Sequence, residues 1–186
     1  MSQDAIDDIH AWIKSHFFGK FRGKVVSNED DTNRGRLKVT VPAVLDTLEV
    51  WAMPCVPYAG DKVGFYVLPE NESGVWVEFE GGDPSFPIWS GCFWADSELP
   101  ADATAPTMKI LRSKTGQWQL DDDAGEVIVK NDNDATATWT SDVTIEAGGS
   151  TQTIGSSGVV SDSGSTGKVE VASGGVNVNN GAFKVA

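Results

Sequence analysis

The chain is poor in the residues that most often carry chemistry. Its 186 residues include only two cysteines, two histidines and 14 cations against 27 carboxylates, for a formal net charge of −13. That balance excludes a nucleic-acid binder of the usual kind, whose affinity rests on counterion release by lysine and arginine. No apolar run is long enough to cross a bilayer, and the acidic, amphipathic start is unlike a secretory leader, so synthesis in a bacterial cytoplasm without a signal peptide is expected. Cys55 and Cys92, both flanked by apolar residues, read as two buried free thiols rather than a disulfide or metal pair. His10 and His16 are six apart and so lie on different faces of a helix, which leaves no metal site there.

Further absences divide the chain. Residues 117–186 contain no proline and no arginine, whereas all eight prolines and six of the seven tryptophans lie before Gln119. A compact head and a core-poor tail are therefore separate objects. In the tail, small or β-branched residues alternate with polar ones, as in Val127-Ile128-Val129, Val143-Thr144-Ile145 and Val169-Glu170-Val171. That is a period-two strand signal, broken by Gly-Gly and Ser-Gly turns. A beat of eight overlies it at Val127, Ala135, Val143, Thr151 and Val159. One thin apolar stripe cannot offset the entropy of ordering such strands in a single copy. Extended at ~3.3 Å per residue the tail would exceed roughly 200 Å, so it is expected to wrap, with several identical chains each supplying one wall of a narrow β-prism. The predicted inward residues are Val127, Val129, Ala135, Ala137, Val143, Ile145, Val169, Val171, Val176 and Val178. A single-chain parallel β-helix would have about three coils and no caps, which makes it the weaker solution.

The head reads as a short helix followed by a small barrel. Ile6, Ile9, Ile13 and Phe17 recur at helical spacing, with Asp4, Asp7 and Asp8 at the positive helix end and Gly19 as a stop. This stripe packs either on its own barrel or on a partner. Strands are predicted at residues 21–27, 36–41, 50–55, 63–68, 75–79 and 88–93, a spacing that fits a Greek-key barrel of the OB type. The predicted organisation is an N-terminal helix (1–19), a barrel (20–95), a linker (96–108) and a spike (109–186).

Catalytic and ligand-binding patterns are weak. Asp121–Glu126 and Asn131–Asp134 are acidic, but they lack the spacing of a calcium loop and read as solvated turns. No histidine lies in the barrel or tail, which leaves a Ser-His-Asp arrangement nothing to build on, and no phosphate loop or zinc spacing occurs. No enzyme activity, cofactor or metal is expected. The alternatives are an OB-type nucleic-acid or oligosaccharide binding module, using Lys20, Arg22, Lys24, Arg34, Arg36 and Lys38, and a cell-wall polysaccharide-degrading enzyme. For the basic stretch, snorkelling over the barrel or pairing with acidic neighbours on an adjoining subunit is the simpler account.

Six segments carry a resemblance. Phe18-Gly-Lys-Phe-Arg-Gly-Lys-Val-Val26, Gly35-Arg-Leu-Lys-Val-Thr-Val-Pro42, Trp51-Ala-Met-Pro-Cys55, Gly64-Phe-Tyr-Val-Leu-Pro69, Val75-Trp-Val-Glu-Phe79 and Gly82-Asp-Pro-Ser-Phe-Pro-Ile-Trp-Ser-Gly91 follow in order. Together they resemble phage baseplate assembly protein V and its contractile-tail and VgrG-type spike relatives. Lys109-Ile-Leu-Arg-Ser-Lys-Thr-Gly-Gln-Trp-Gln-Leu-Asp-Asp122 is similar to the segment that leads such spikes into their β-helix. The resemblance implies an all-β fold, an OB-fold Greek-key barrel followed by an intertwined trimeric β-helix or β-prism, with a short N-terminal helix. It implies a homotrimeric, membrane-piercing central spike in a virion or injection-particle baseplate, docked to a hub protein at its barrel end and acting on a target-cell membrane. The number three comes from the resemblance. One departure matters: some short spikes end in an iron-binding His-x-His tip, and this chain has no histidine after His16. A separate small tip protein is expected at the C-terminal end.

Overall fold

A computed structural model describes residues 3–185 and divides into two compact units, Met1–Leu99 and Pro100–Ala186. The all-β class, the barrel and the short N-terminal helix are as the sequence predicts. In the first unit, helix α1 (Gln3–Ser15) is followed by β1 (Phe21–Ser27), β2 (Leu37–Thr40), a helical turn α2 (Pro42–Leu45) and β3 (Glu49–Pro54). A two-stranded hairpin, β4 (Ala59–Gly60) with β5 (Val63–Gly64), precedes β6 (Gly74–Phe79) and β7 (Pro87–Phe93). The closed barrel runs β1-β2-β3-β7-β6, with β3 and β7 parallel and the other pairs antiparallel. This is the OB-type Greek key.

Alternation along the strands builds the core. Leu37 and Val39 point inward while Lys38 and Thr40 do not, and Val75, Val77 and Phe79 alternate with less buried neighbours on β6. Val25, Val41, Ala52 and Trp89 complete the buried cluster. The Trp89 indole Nε1–H donates to the Gly35 carbonyl at 3.1 Å, so the largest core side chain leaves no buried donor unpaired. Helix α1 buries none of its residues. The segment after it is tied down instead: the Phe17 amide donates to the Gly82 carbonyl at 2.7 Å, and the Phe17 ring packs near Phe21 and Phe79. Gly82 has φ +86°, and a Cβ there would meet the Phe18 ring at 2.8 Å, so both backbone and space demand glycine.

Two expectations for this unit are corrected. The strand predicted at 63–68 is only Val63–Gly64, part of the small hairpin. Five strands already close the barrel, so a sixth finds no free edge to join. Cys55 and Cys92 are free but exposed rather than buried. Cys92 lies on β7 opposite Val75, and Cys55 lies just beyond β3.

The second unit is one ten-stranded antiparallel meander: β8 (Met108–Arg112), β9 (Gly116–Asp121), β10 (Glu126–Asn131), β11 (Thr136–Trp139), β12 (Val143–Ala147), β13 (Ser150–Gly155), β14 (Gly158–Asp162), β15 (Lys168–Ala172), β16 (Gly175–Val178) and β17 (Phe183–Val185). Each strand pairs with its neighbours in sequence. The ladder is therefore made within the chain and not by intertwining, and among the described residues β8 and β17 are its edge strands. The chain doubles back because its connections are tight turns. Asp121 Oδ1 accepts from the amides of Asp123 and Ala124, and Asn131 Oδ1 from those of Asn133 and Ala135. The acidic clusters thus serve as Asx turns. Gly158, at φ +132°, lies too close to the Val171 carbonyl to accept a Cβ.

The barrel holds all the described buried apolar residues, which predicts that it folds alone. Deleting residues 107–186 should leave a soluble domain with a cooperative thermal transition, monomeric or weakly associated; an insoluble product would show that the two parts fold as one. Within it, Leu37→Ala should cost about 2–5 kcal/mol, measured by urea unfolding.

Candidate functional site

The register of the meander sorts its side chains into two faces. On one, two adjacent columns run across the sheet. The first is Lys109, Leu120, Val127, Trp139, Val143, Ile154, Val159, Val171 and Val176. The second is Leu111, Trp118, Val129, Ala137, Ile145, Gln152, Ser161, Val169, Val178 and Phe183. Because alternate residues share a face, these two columns form one continuous surface. It is apolar except at Lys109, Gln152 and Ser161.

That surface is open in the single chain. Ile145 is 46 % and Val171 47 % exposed, and Trp118, Val129, Ile154 and Val169 are similar. A contiguous apolar sheet face of this extent marks an interaction surface. The opposite face is mostly polar, with Gln117, Gln119, Lys130, Thr136, Thr138, Thr144, Glu146, Thr151, Thr153, Asp162, Lys168, Glu170 and Asn177, and it also carries Ile110, Ile128 and Val160. Several of its groups pair with one another, although the buried Asn177 Oδ1 has no hydrogen-bond partner among the described residues. Gln117 donates to Gln119 at 2.6 Å, Lys168 pairs with Glu170 at 2.6 Å, and Asn177 donates to Glu170 at 3.0 Å. The hydrogen bond and charge of Lys168 hold the Glu170 carboxyl below its ordinary range. Asp102 reaches Lys130 at 3.4 Å and Arg112 at 3.7 Å.

Nine of the ten residues predicted to point inward lie in the two apolar columns: Val127, Val129, Ala137, Val143, Ile145, Val169, Val171, Val176 and Val178. Ala135 does not, because it falls in the turn before β11. The beat of eight also resolves differently. Val127, Val143 and Val159 recur in the first column on every second strand, sixteen residues apart, whereas Thr151 lies on the polar face. Sequence reasoning missed Leu111, Trp118, Leu120, Trp139 and Ile154 as members of this face. Period-two alternation, as in Gln117-Trp118-Gln119-Leu120 and Ala137-Thr138-Trp139, was the signal that would have found them.

In the barrel the basic stretch is largely neutralised within its own unit. Lys20 pairs with Glu78 at 2.9 Å, Lys38 with Glu49 at 2.8 Å and Lys24 with Glu72. The Arg22 guanidinium lies over the rings of Trp76 and Phe93, 5.1 and 4.7 Å from their centroids. The partners predicted on an adjoining subunit are therefore found in the same barrel, where β1 and β2 lie beside carboxylates of β3 and β6.

The loop between β1 and β2 is organised by Asp30, whose side chain is 3 % exposed. Its Oδ1 accepts from Arg36 Nη2 at 2.7 Å and from the Thr32 hydroxyl at 2.7 Å, and its Oδ2 from the Arg34 and Arg36 amides at 2.9 and 3.2 Å. The Arg36 guanidinium is the main reason that the Asp30 carboxyl is held well below the usual carboxylate range. The same guanidinium stacks 5.0 Å from the Trp51 ring. Among the described residues no three His, Cys, Asp or Glu side chains converge as a metal site, and no helix is long and apolar enough to cross a membrane.

Residues 21–94 match the family model of the type VI secretion system/phage-baseplate injector OB domain. The match begins and ends with the barrel strands. No curated protein matches the chain significantly.

A depressed carboxyl stabilises the fold above the unfolded value near 4, and that stability is lost as pH falls below it towards the lower folded value. The wild-type melting temperature should therefore drop between about pH 4 and pH 2. Asp30→Asn should melt lower at pH 7 and lose less over that window. Parallel pH–melting curves would refute the assignment.

Proposed function

We propose, from the membership of residues 21–94 in the type VI secretion and phage-baseplate injector OB family, that the chain is the homotrimeric central spike of a contractile baseplate. A structural role in a phage or injection-particle baseplate is what the family has in common. The finer reading rests on one observation, the continuous apolar face left open on the C-terminal sheet.

A sheet apolar on one side and polar on the other must cover the apolar side. Three copies, each supplying one wall, would enclose the two columns along a common axis and leave the threonines and carboxylates outside in water. Burying the exposed remainder of a side chain such as Val171 or Ile145 contributes about 1 kcal/mol, repeated over most of both columns in each chain. The product is a slender rod whose ladder hydrogen bonds are already made within each wall. Such a rod transmits load along its axis onto a small area of target membrane. In this reading the barrel end docks to a baseplate hub, and α1, with Ile9, Trp12 and Ile13 about half exposed, is available to a partner there. A separate small protein caps the C-terminal end. No step calls for a metal, a cofactor, a nucleic acid or catalysis.

The decisive measurement is the mass of the intact chain in solution, by light scattering or native mass spectrometry. A trimer that persists in detergent without boiling is expected; a monomer with a folded sheet would sink the reading. Ile145→Asp sets three charges on one layer of the axis, a burial costing at least several kcal/mol. It should abolish the trimer, and trimers of unchanged melting temperature would remove Ile145 from the interior.

A further inference from the structure

Two positions interrupt the apolar columns near the middle of the sheet. Gln152 on β13 and Ser161 on β14 lie directly opposite each other, flanked in their column by Ile145 and Val169. Both are exposed, and neither side chain has a hydrogen-bond partner among the described residues. They line a shallow depression of about 530 Å³ together with Ile145, Ser150, Ser163 and Val169.

Two features point to a second copy of this chain as the occupant. The chain carries a net charge of −13, and copies repel through most of their surfaces. The two-column face bears a single charge, Lys109, which is paired with Asp122. Like copies can therefore meet there without repulsion. In addition, an amide and a hydroxyl each donate and accept, so an identical rung satisfies them while a purely apolar partner leaves them unpaired.

We propose that Gln152 and Ser161 form a polar rung that sets the axial register between copies of this chain. The inference rests on the trimeric reading above. The remainder of the face repeats and cannot set register by itself. Sliding one copy by a hairpin, roughly 10 Å, brings Val127 level with Val143, Trp139 with Ile154 and Val143 with Val159. In that column apolar still meets apolar. In the other column the same slip sets Gln152 against Ala137 or Val169, and Ser161 against Ile145 or Val178. A buried amide left without a partner is penalised, so the slipped registers are disfavoured. A lone polar residue in the apolar seam of a coiled coil acts in the same way.

The test uses the full chain with Cys55→Ser, Cys92→Ser and Ile145→Cys, mildly oxidised. Light scattering reports the mass, and denaturing gels report the disulfide-linked fraction. With the rung intact, a trimer is expected in which about two chains in three are linked, the geometric maximum for one thiol per chain. Adding Gln152→Val and Ser161→Val should keep the trimeric mass and lower the linked fraction about threefold, as copies spread over several registers. Gln152→Asn with Ser161 retained should keep the high linked fraction. Should Ile145→Cys itself prevent association, Ile154→Cys replaces it as the probe. Equal linked fractions with and without the rung would overturn the proposal and leave the trimer standing. Loss of the trimer in the valine variant would also overturn it, since the rung would then serve association and not register. A monomeric unsubstituted chain would remove the trimeric reading, and the rung with it.

Discussion

An antiparallel sheet that is apolar on one face and polar on the other cannot be a finished structure in water, and the C-terminal unit is such a sheet. Its strands are paired in one ladder, the turns after Asp121, Asn131 and Asp162 are capped by those side chains, and its polar face carries the Gln117–Gln119 and Lys168–Glu170–Asn177 contacts. What is missing is a cover for the two columns that run from Leu120 to Val176 and from Leu111 to Phe183. The buried apolar cluster lies in the barrel, and among the described residues of the sheet the buried side chains are Gln117 and Gln119.

The barrel obeys a different economy. It closes on itself, buries its own aliphatic residues and Trp89, and neutralises its cations with carboxylates of adjacent strands. Asp30 shows how this is done at a loop: one carboxylate accepts from three backbone amides and a guanidinium and so orders a polar eight-residue segment without any core. The exposed basic stretch that suggested an OB-type nucleic-acid groove is consumed by these pairs.

Much of this was legible in the sequence because strands and barrels announce themselves through local alternation. The period-two pattern located the tail strands, the polar–apolar beat of Leu37-Lys38-Val39 the core of the barrel, and Gly82-Asp83-Pro84 a turn that only glycine can enter. Nine of the residues predicted to point inward share one face, because alternate residues along a strand do so whatever the strand pairs with. Ala135 was misplaced because its pattern runs on into a turn, where alternation ceases to have meaning.

Other features depended on the tertiary structure. Which strand lies beside which is a long-range choice that local pattern does not encode, so wrapping and meandering looked alike until the register placed Val127, Trp139, Val143, Ile154 and Val159 in one column. Strand 63–68 read well but found no edge, because closure of the barrel is a property of all five strands at once. The cysteines have apolar neighbours in sequence yet are exposed, and Lys20, Lys24 and Lys38 found their partners in Glu78, Glu72 and Glu49 of the same barrel unit. The sequence by itself determined alternation, turns and charge, each set by a residue and its immediate neighbours; the structure alone decided pairing, exposure and the unbroken apolar face, each of which exists only between strands.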